Sequence, residues 1–465
     1  MRCLYSLLLM FLLLDARGMH AAVSAAEAAR LGGTELTPLG AERNGNEAGT
    51  IPPWTGGITG PVPGYRVGDQ HIDPYAQDRL LFTITAENMH EHADKLSAGQ
   101  KALLQRYPDS WAMNIYPTRR SAAYPEFVYE ALKTNAVNAE VIPGGRGGVR
   151  NTIVSSPFPI PASGEEVVWN HNLRWRGIHI TRPTALAAIT RRGNYTVMQM
   201  HEEWAAPYAI PGPHPLKSQF PTLLGAIKQK VLSPAFLAGG GRLALESIDY
   251  NLVQRQSWFY SPDLRRVLRT PFSGYDNPSP STDALRFNDE VDMFNGSPVL
   301  FKWKLLGKRE MYIPYNAYRL NSGSLRSDDI LLQRHINPEH ARYELHRVWV
   351  VEGTVKVAER NPNALRLEDR GHQYSRRIFY IDEDAWQVAL SENYDRNGEL
   401  WRVSEGHVIN FYEVPVPWYN LEVFYDLKQE RYLVIGLNNQ RQVTRFGDQI
   451  NPRLFGPNAL DYYVR

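Results

Sequence analysis

Three kinds of side chain in this sequence could carry chemistry. Paired carboxylates come first: Asp289-Glu290 and Asp382-Glu383-Asp384 set acids side by side, where mutual repulsion can push pKa values apart for acid–base work. Imidazoles come second. His90-Glu91-His92 places two rings at i and i+2, which on a helix point about 200° apart and cannot share an ion. His201-Glu202-Glu203 and the His335/His340 pair are equally loose, and no His-Glu-x-x-His occurs. Arginine comes third, with 40 Arg against 11 Lys. Arg119-Arg120, Arg174-Trp175-Arg176, Arg191-Arg192, Arg265-Arg266 and Arg376-Arg377 are interleaved with aromatics. A guanidinium grips carboxylate or phosphate through two hydrogen bonds and stacks on rings. The near-equal number of acids favours internal ion pairs, with one or two arginines free to cap the polar head of an amphipathic ligand.

The common catalytic signatures are absent. There is no Gly-x-Ser-x-Gly, no phosphate-binding Gly-x-x-x-x-Gly-Lys-Ser/Thr and no Gly-x-Gly-x-x-Gly. Gly144 to Gly148 could cradle an anion beside Arg146, but no strand and helix flank it, so a plain loop is expected. Asp395-Arg-Asn-Gly-Glu399 opens like a calcium loop, yet its twelfth place is Gly406, so it reads as a hairpin turn. The acids at 289–290 lie in a polar stretch and those at 382–384 at a hairpin tip, where solvated residues are the norm. Both are read as structural. No catalytic residue, metal ligand or cofactor is assigned.

The elements that must position these groups follow from periodicity. Ala86 to Tyr107 reads as helix in two pieces, the second opened by the capping box Ser97-Ala-Gly-Gln100. Tyr124–Asn135 and Glu165–Arg176 are further helices. From about residue 177 the period shifts towards two. Strands are expected at 178–181, 195–200, 241–248, 257–260, 265–270, 300–308 and 310–315, then at 342–356, 376–381, 386–394 and 400–411. The clearest is Arg342–Lys356, where Tyr343, Leu345, Arg347 and Trp349 alternate with Glu344, His346, Val348 and Val350. Early helices and a late antiparallel meander make the class α+β.

Composition bounds the rest. Across 465 residues, 43% are hydrophobic and 11% aromatic, too much apolar surface for a disordered chain. The formal charge of +2 provides no basic field for nucleic acid. Cys3 is the only cysteine, which excludes a disulfide scaffold. It precedes an apolar run, Leu4–Leu14, that reads with Arg2 as a secretory signal spanning 1–22, cleaved somewhere in 18–25. Residues 23–75, rich in Gly and Pro, form an extended arm pinned by Trp54, Tyr65 and Tyr75, and 76–465 form a single domain. The expected location is the periplasm, with peripheral or no membrane insertion. Trp349, Trp386 and Trp401 fall on neighbouring strands, and Trp418 follows closely. That aromatic surface is covered either by a helix, as an ordinary core, or by an apolar ligand inside a partly closed barrel.

Several stretches resemble a large family of exported Gram-negative proteins that are outer-membrane lipoprotein-sorting-protein-like. They include Gly49-Thr-Ile-Pro-Pro-Trp-Thr-Gly-Gly57, Tyr116-Pro-Thr-Arg-Arg-Ser-Ala-Ala-Tyr-Pro125, Trp169-Asn-His-Asn172 running into Leu173-Arg-Trp-Arg-Gly177, and Asp292-Met-Phe-Asn-Gly296. Tyr343-Glu-Leu-His-Arg-Val-Trp349, Phe379-Tyr-Ile-Asp-Glu-Asp-Ala-Trp386 and Trp401-Arg-Val-Ser-Glu405 continue the match. The resemblance implies a fold akin to the carriers LolA and LolB: a strongly curved antiparallel sheet, an incomplete β-barrel, with helices covering its concave side. It implies a carrier for a lipid or other hydrophobic molecule, working with an outer-membrane barrel and an efflux-type inner-membrane transporter. The residues expected to wall the cavity are Trp169, Trp175, Tyr343, Trp349, Phe379, Trp386, Trp401 and Trp418, with Arg174, Arg176 and Arg347 at a polar head group. Alternative readings are a lipid or cell-envelope hydrolase built around His171, His346 or Glu405, and a non-catalytic assembly factor.

Overall fold

Alternation along Tyr343–Val355 builds the middle of the sheet. Tyr343 and Leu345 face one apolar cluster, while Val348 and Val350 face another with Met311, Ile313, Tyr315 and Tyr380. A strand buried on both faces draws stability from two layers at once. The computed structural model describes residues 23–464 apart from 143–146, 251, 271–273, 358–360, 362–363 and 365–368. The signal segment and most of the Gly144–Gly148 loop lie outside the described residues.

The strands in chain order are β1 (Phe82–Ile84), β2 (Met113–Ile115), β3 (Glu140–Val141), β4 (Val149–Arg150), β5 (His179–Ile189) and β6 (Met198–Ala205). There follow β7 (Leu223–Ser233), β8 (Gly241–Ser247), β9 (Gln256–Ser261), β10 (Arg266–Arg269), β11 (Phe301–Pro314) and β12 (Tyr343–Val355). The last are β13 (Arg376–Asp382), β14 (Val388–Tyr394), β15 (Leu400–Phe411), β16 (Val416–Asp426), β17 (Arg431–Ile435) and β18 (Arg445–Gly447). The helices are α1 (Ala25–Ala28), α2 (Ala98–Arg106), α3 (Glu126–Asn138), α4 (Gly164–Leu173), α5 (Pro215–Gln219), α6 (Ser327–Ile330) and α7 (Pro457–Val464).

All strands but β3 and β4 belong to one sheet, with path β1-β2-β12-β13-β14-β15-β16-β17-β5-β6-β7-β8-β9-β10 and β11 beside β12. The ladders are antiparallel except for one parallel pair, Tyr343 with Ile115. Among the described residues β10 does not pair with β1 or β11, so the curved sheet stays open. The meander from β12 to β17 returns to β5 through Tyr432–Ile435 against Leu186–Ile189. Helix α4 packs on β11 and β12, α2 on β14 and β15, and α7 on β8 to β10.

Several expectations need correction. The two strands expected at 300–308 and 310–315 are one strand, β11, bent by a register shift at Leu305/Gly307. Gly307 takes φ +100 there, which a side chain resists. The strand expected from Tyr195 begins at Met198. β7, β16 and β17 were not expected. All eleven residues of β16 are buried, Asn420, Glu422 and Asp426 included, so it has no solvent-facing side, and apolar runs at 416–419 and 423–425 blur its alternation.

The expected capping box forms: Ser97 Oγ accepts from Gln100 N–H at 3.1 Å, and the Gln100 side chain accepts from Ser97 N–H at 3.0 Å. Ser97→Ala is expected to cost about 1 kcal/mol, read as a lower urea midpoint with an unchanged slope; an unchanged midpoint would remove the cap from the account. The arm lies against the body. Trp54 Nε1 donates to the Ala122 carbonyl at 3.3 Å. Tyr65 stacks on His71 at 5.2 Å and meets Tyr412 edge-on, and the Arg119 and Arg342 guanidiniums sit over Tyr75.

Candidate functional site

Helix α4 ends at Leu173, short of the expected Arg176, so His171 lies in its last turn and Arg174 and Arg176 just beyond it, and all three converge on Asp292. Arg174 Nη2 lies 2.7 Å from Asp292 Oδ2, and Arg176 Nη1 contacts the same oxygen. Trp418 Nε1 donates to Asp292 Oδ1 at 2.7 Å. The paired guanidiniums hold the Asp292 carboxyl far below the usual carboxylate range, against the opposing effect of its burial. His171 accepts from Val388 N–H through Nδ1 and meets the Asp292 carbonyl through Nε2, both at 3.1 Å. Nδ1 also lies 3.1 Å from the Trp386 carbonyl, but two donors, Val388 N–H and Arg174 Nη1, point at it, which favours the proton on Nε2. Burial first, and Arg174 second, keep the ring neutral. Asp292 and Met293 both take positive φ, 58° and 66°, so the loop turns sharply to present the acid.

Beside this hub lies a hollow of about 40 Å³ walled by Arg176, Arg182, Trp204, Leu224, Ile227 and Trp418. Arg182 sits 4.1 Å over Trp418 and Arg176 5.3 Å over Trp204. A second hollow, also about 40 Å³, lies on the other side of Arg182 against His71, Phe411 and Glu422. Each holds a few waters rather than an acyl chain.

The expected cavity residues are thus divided. Trp418 and Arg176 meet at the hollow, and Arg174 stands behind it. Trp169, Tyr343, Phe379 and Trp386 are buried in the main core, with Trp175 close to fully buried. Trp349 is half-buried and stacks on Trp386 at 6.1 Å. Trp401 is half-buried at the far end of β15, donating to Asp426. Arg347 belongs to a different cluster, bound to Glu383 and Glu42. Glu405 lies inside the sheet, where burial pushes its carboxyl up to about 8 and Tyr343 OH donates to it at 3.1 Å. His171, His346 and Glu405, the groups around which a hydrolase might be built, are buried in three separate places.

Both acid clusters read as solvated or polar surface are buried instead. Asp289 meets Arg377 at 2.6 Å and His372 at 3.2 Å, and Glu290 accepts from Tyr374 OH at 3.0 Å. At the β13–β14 tip, Asp382, Glu383 and Asp384 are 2%, 2% and 4% exposed. Arg120 clamps Asp384 with bonds of 2.8 and 2.7 Å, and Lys308 and Arg347 hold Glu383. The turn is covered because the arm and the 116–124 segment lie over it: Arg120 Nη2 also donates to the Glu42 carbonyl.

A larger space lies on the opposite face of β6 and β7. There α7, seated on β8 to β10, borders a groove of about 900 Å³ lined by Phe220, Lys228, Arg453, Phe455, Tyr462 and Tyr463. Leu460 and Val464 seat the helix, and Gly241 lets it approach: a Cβ there would fall 2.3 Å from Val464 Cγ1. Lys228 is held by Glu203 at 2.7 Å and sits 4.5 Å over the Tyr463 ring. Sequence reading passed over this site. The available signal was Pro457 opening a helix with Leu460 and Val464 four apart.

Residues 83–461 match a family described as Protein of unknown function (DUF1329). The chain belongs to the DUF1329 family. The uncharacterized protein PA3922 of Pseudomonas aeruginosa is 41% identical over 441 residues, covering 95% of this chain and 94% of that protein. Among solved structures, a DUF1329 family protein from Desulfovibrio piger is similar at 12% identity and TM-score 0.40, covering 61% of this chain and 92% of that one. LolA superfamily protein NE2245 from Nitrosomonas europaea is similar at 12% identity and TM-score 0.36, covering 64% and 100%. Among the described residues of this DUF1329 chain, no helix is long and apolar enough to cross a membrane.

The DUF1329 chain therefore offers two kinds of space. The inner hollows are small and share Arg182, and Asp292 closes one of them. The α7 groove has the volume of a ligand site and apolar walls with cations at its edge, an arrangement suited to reversible, non-covalent binding.

Proposed function

We propose that this protein binds and carries a lipid or other hydrophobic molecule in the periplasm, and that the groove under α7 is where the molecule docks. The supporting observation is the groove itself: about 900 Å³, walled by Phe220, Phe455, Tyr462 and Tyr463. Burying a 16-carbon chain there would contribute about 10 kcal/mol before ordering costs, at ~0.8 kcal/mol per methylene. No bond need be made or broken. Exposed Arg453 at the rim suits an acidic head, so a fatty acid or anionic lipid is the favoured cargo. In this reading the mature chain, from about residue 23, is one LolA/LolB-like domain with a wrapping arm. It would serve passage between an inner-membrane transporter and an outer-membrane barrel.

Displacement of a fluorescent fatty acid tests this. The wild type should bind, and Phe455→Glu, which puts a charge against the apolar wall, should bind at least tenfold more weakly. Native mass spectrometry of protein taken from its host should show a lipid adduct. Ligand-free protein in both measurements, or equal binding by the variant, would sink the proposal.

A further inference from the structure

We infer that His346, Asp382 and Asp384 form a binding site for a divalent transition-metal ion. A ring nitrogen of His346 and one oxygen from each aspartate lie within 4.8 Å of one another, and all three residues are buried. His346 is in the middle of β12, and the aspartates are at the β13–β14 turn, so the register of the sheet brings them together.

Charge matching is the independent observation. The cluster holds Glu42, Asp78, Glu344, Asp382, Glu383 and Asp384. Arg120 takes Asp384, while Lys308 and Arg347 take Glu383 and Glu42. Arg342 and Arg119 take Glu344 and Asp78. Among the described residues no lysine or arginine lies within salt-bridge distance of Asp382, although it is only 2% exposed. Among the described residues its carboxylate oxygens accept from Tyr315 OH and Asp384 N–H, both at 3.2 Å. A buried carboxylate without a lysine or arginine is met by a proton, by a protonated His346 or by a bound cation, and three converging ligand atoms suit the last.

The surroundings are those of a prepared ligand set. Glu344 Oε2 lies 3.1 Å from His346 Nε2. With the Nε2 proton directed to Glu344, the Nδ1 lone pair is left for an ion, and a carboxylate behind a ligating histidine is a common orienting device. Tyr315 stacks on the imidazole at 3.9 Å and fixes its plane. Arg120 takes one lone pair on each Asp384 oxygen, and a carboxylate retains others. One nitrogen and two oxygens suit zinc or manganese. The ion would tie the β13–β14 turn to β12 beneath the arm, at a place separate from the α7 groove.

The test uses the whole mature chain, stripped with EDTA and then given zinc alone. One equivalent should be retained after desalting and counted by elemental mass spectrometry. The melting temperature should rise by about 4 °C at a thousandfold excess over Kd. Asp382→Asn keeps the shape and removes the unmatched charge. It should make the metal-free protein more stable than the metal-free wild type, yet abolish zinc uptake. His346→Gln should abolish uptake as well. No stoichiometric zinc on the folded wild type, or equal uptake by Asp382→Asn, overturns the assignment. Lipid binding should be unaffected either way, so failure here is distinct from failure of the groove.

Discussion

Replacing Asp292 by asparagine is expected to destabilise the protein by ~3–5 kcal/mol. The amide can still accept from Trp418, so the loss comes from charge. Arg174, whose side chain is 1% exposed, and Arg176, 7% exposed, would face each other with no carboxylate. Two buried like charges cost more than the original pair returned. The effect extends beyond the pair because Asp292 is where α4, β16 and the 291–296 loop meet, and His171 rests on its backbone carbonyl. Domains are marginally stable, by about 5–15 kcal/mol, so the variant should unfold at a much lower urea concentration. Removing the demand as well as the supply, with Arg174→Met and Arg176→Met added to Asp292→Leu, should recover part of the loss. A loss below about 1 kcal/mol for Asp292→Asn would show that the arginines find other partners or solvent.

What the sequence revealed, and what it hid, follows from which interactions are local. β12 was legible because its side chains alternate in type as well as direction, and the Ser97 cap because all its atoms lie within four residues. β16 was hidden for the opposite reason: Val416–Asp426 is buried on both faces, and the short polar beat of Asn420 and Glu422 is flanked by the apolar runs Val416 to Tyr419 and Val423 to Tyr425. The 382–384 turn was misread because its covering comes from Arg120 and Glu42, more than 250 positions away. Of the eight candidate aromatics, six are buried and Trp349 and Trp401 half-buried, but burial in a core and burial against a ligand produce the same composition. Only the arrangement separates Trp386, closed over by Trp349 and Leu39, from Trp418 at a hollow. Arg176 and Trp418 could be suspected individually; their meeting at Asp292 depends on a loop with two consecutive positive φ angles, which Asp292-Met293 does not advertise.

Glu405→Gln is expected to stabilise the protein, by an amount that grows with pH. Burial raises the Glu405 carboxyl to about 8 in the folded chain, while the unfolded value is near the usual ~4.3. Between those values the folded state holds a proton that the unfolded state has released. Stability from this group is therefore complete below about pH 4.3, falls as pH rises, and is fully lost above about 8. Neighbouring His407 slopes the other way. Burial depresses its pKa to about 3, so its contribution is complete above about 6.5 and is lost as pH falls towards 3. Glutamine keeps the Tyr343 OH as a donor to its carbonyl, and its amide can donate to His407 Nε2, which lies 3.8 Å from Glu405 Oε2 and has no hydrogen-bond partner among the described residues. Wild type and variant should have similar urea midpoints at pH 4.5. At pH 8.5 the variant should be more stable by on the order of 5 kcal/mol. A variant less stable than the wild type at pH 8.5, or a difference that does not change with pH, would mean that Glu405 is ionised in the folded chain and is stabilised by something other than Tyr343.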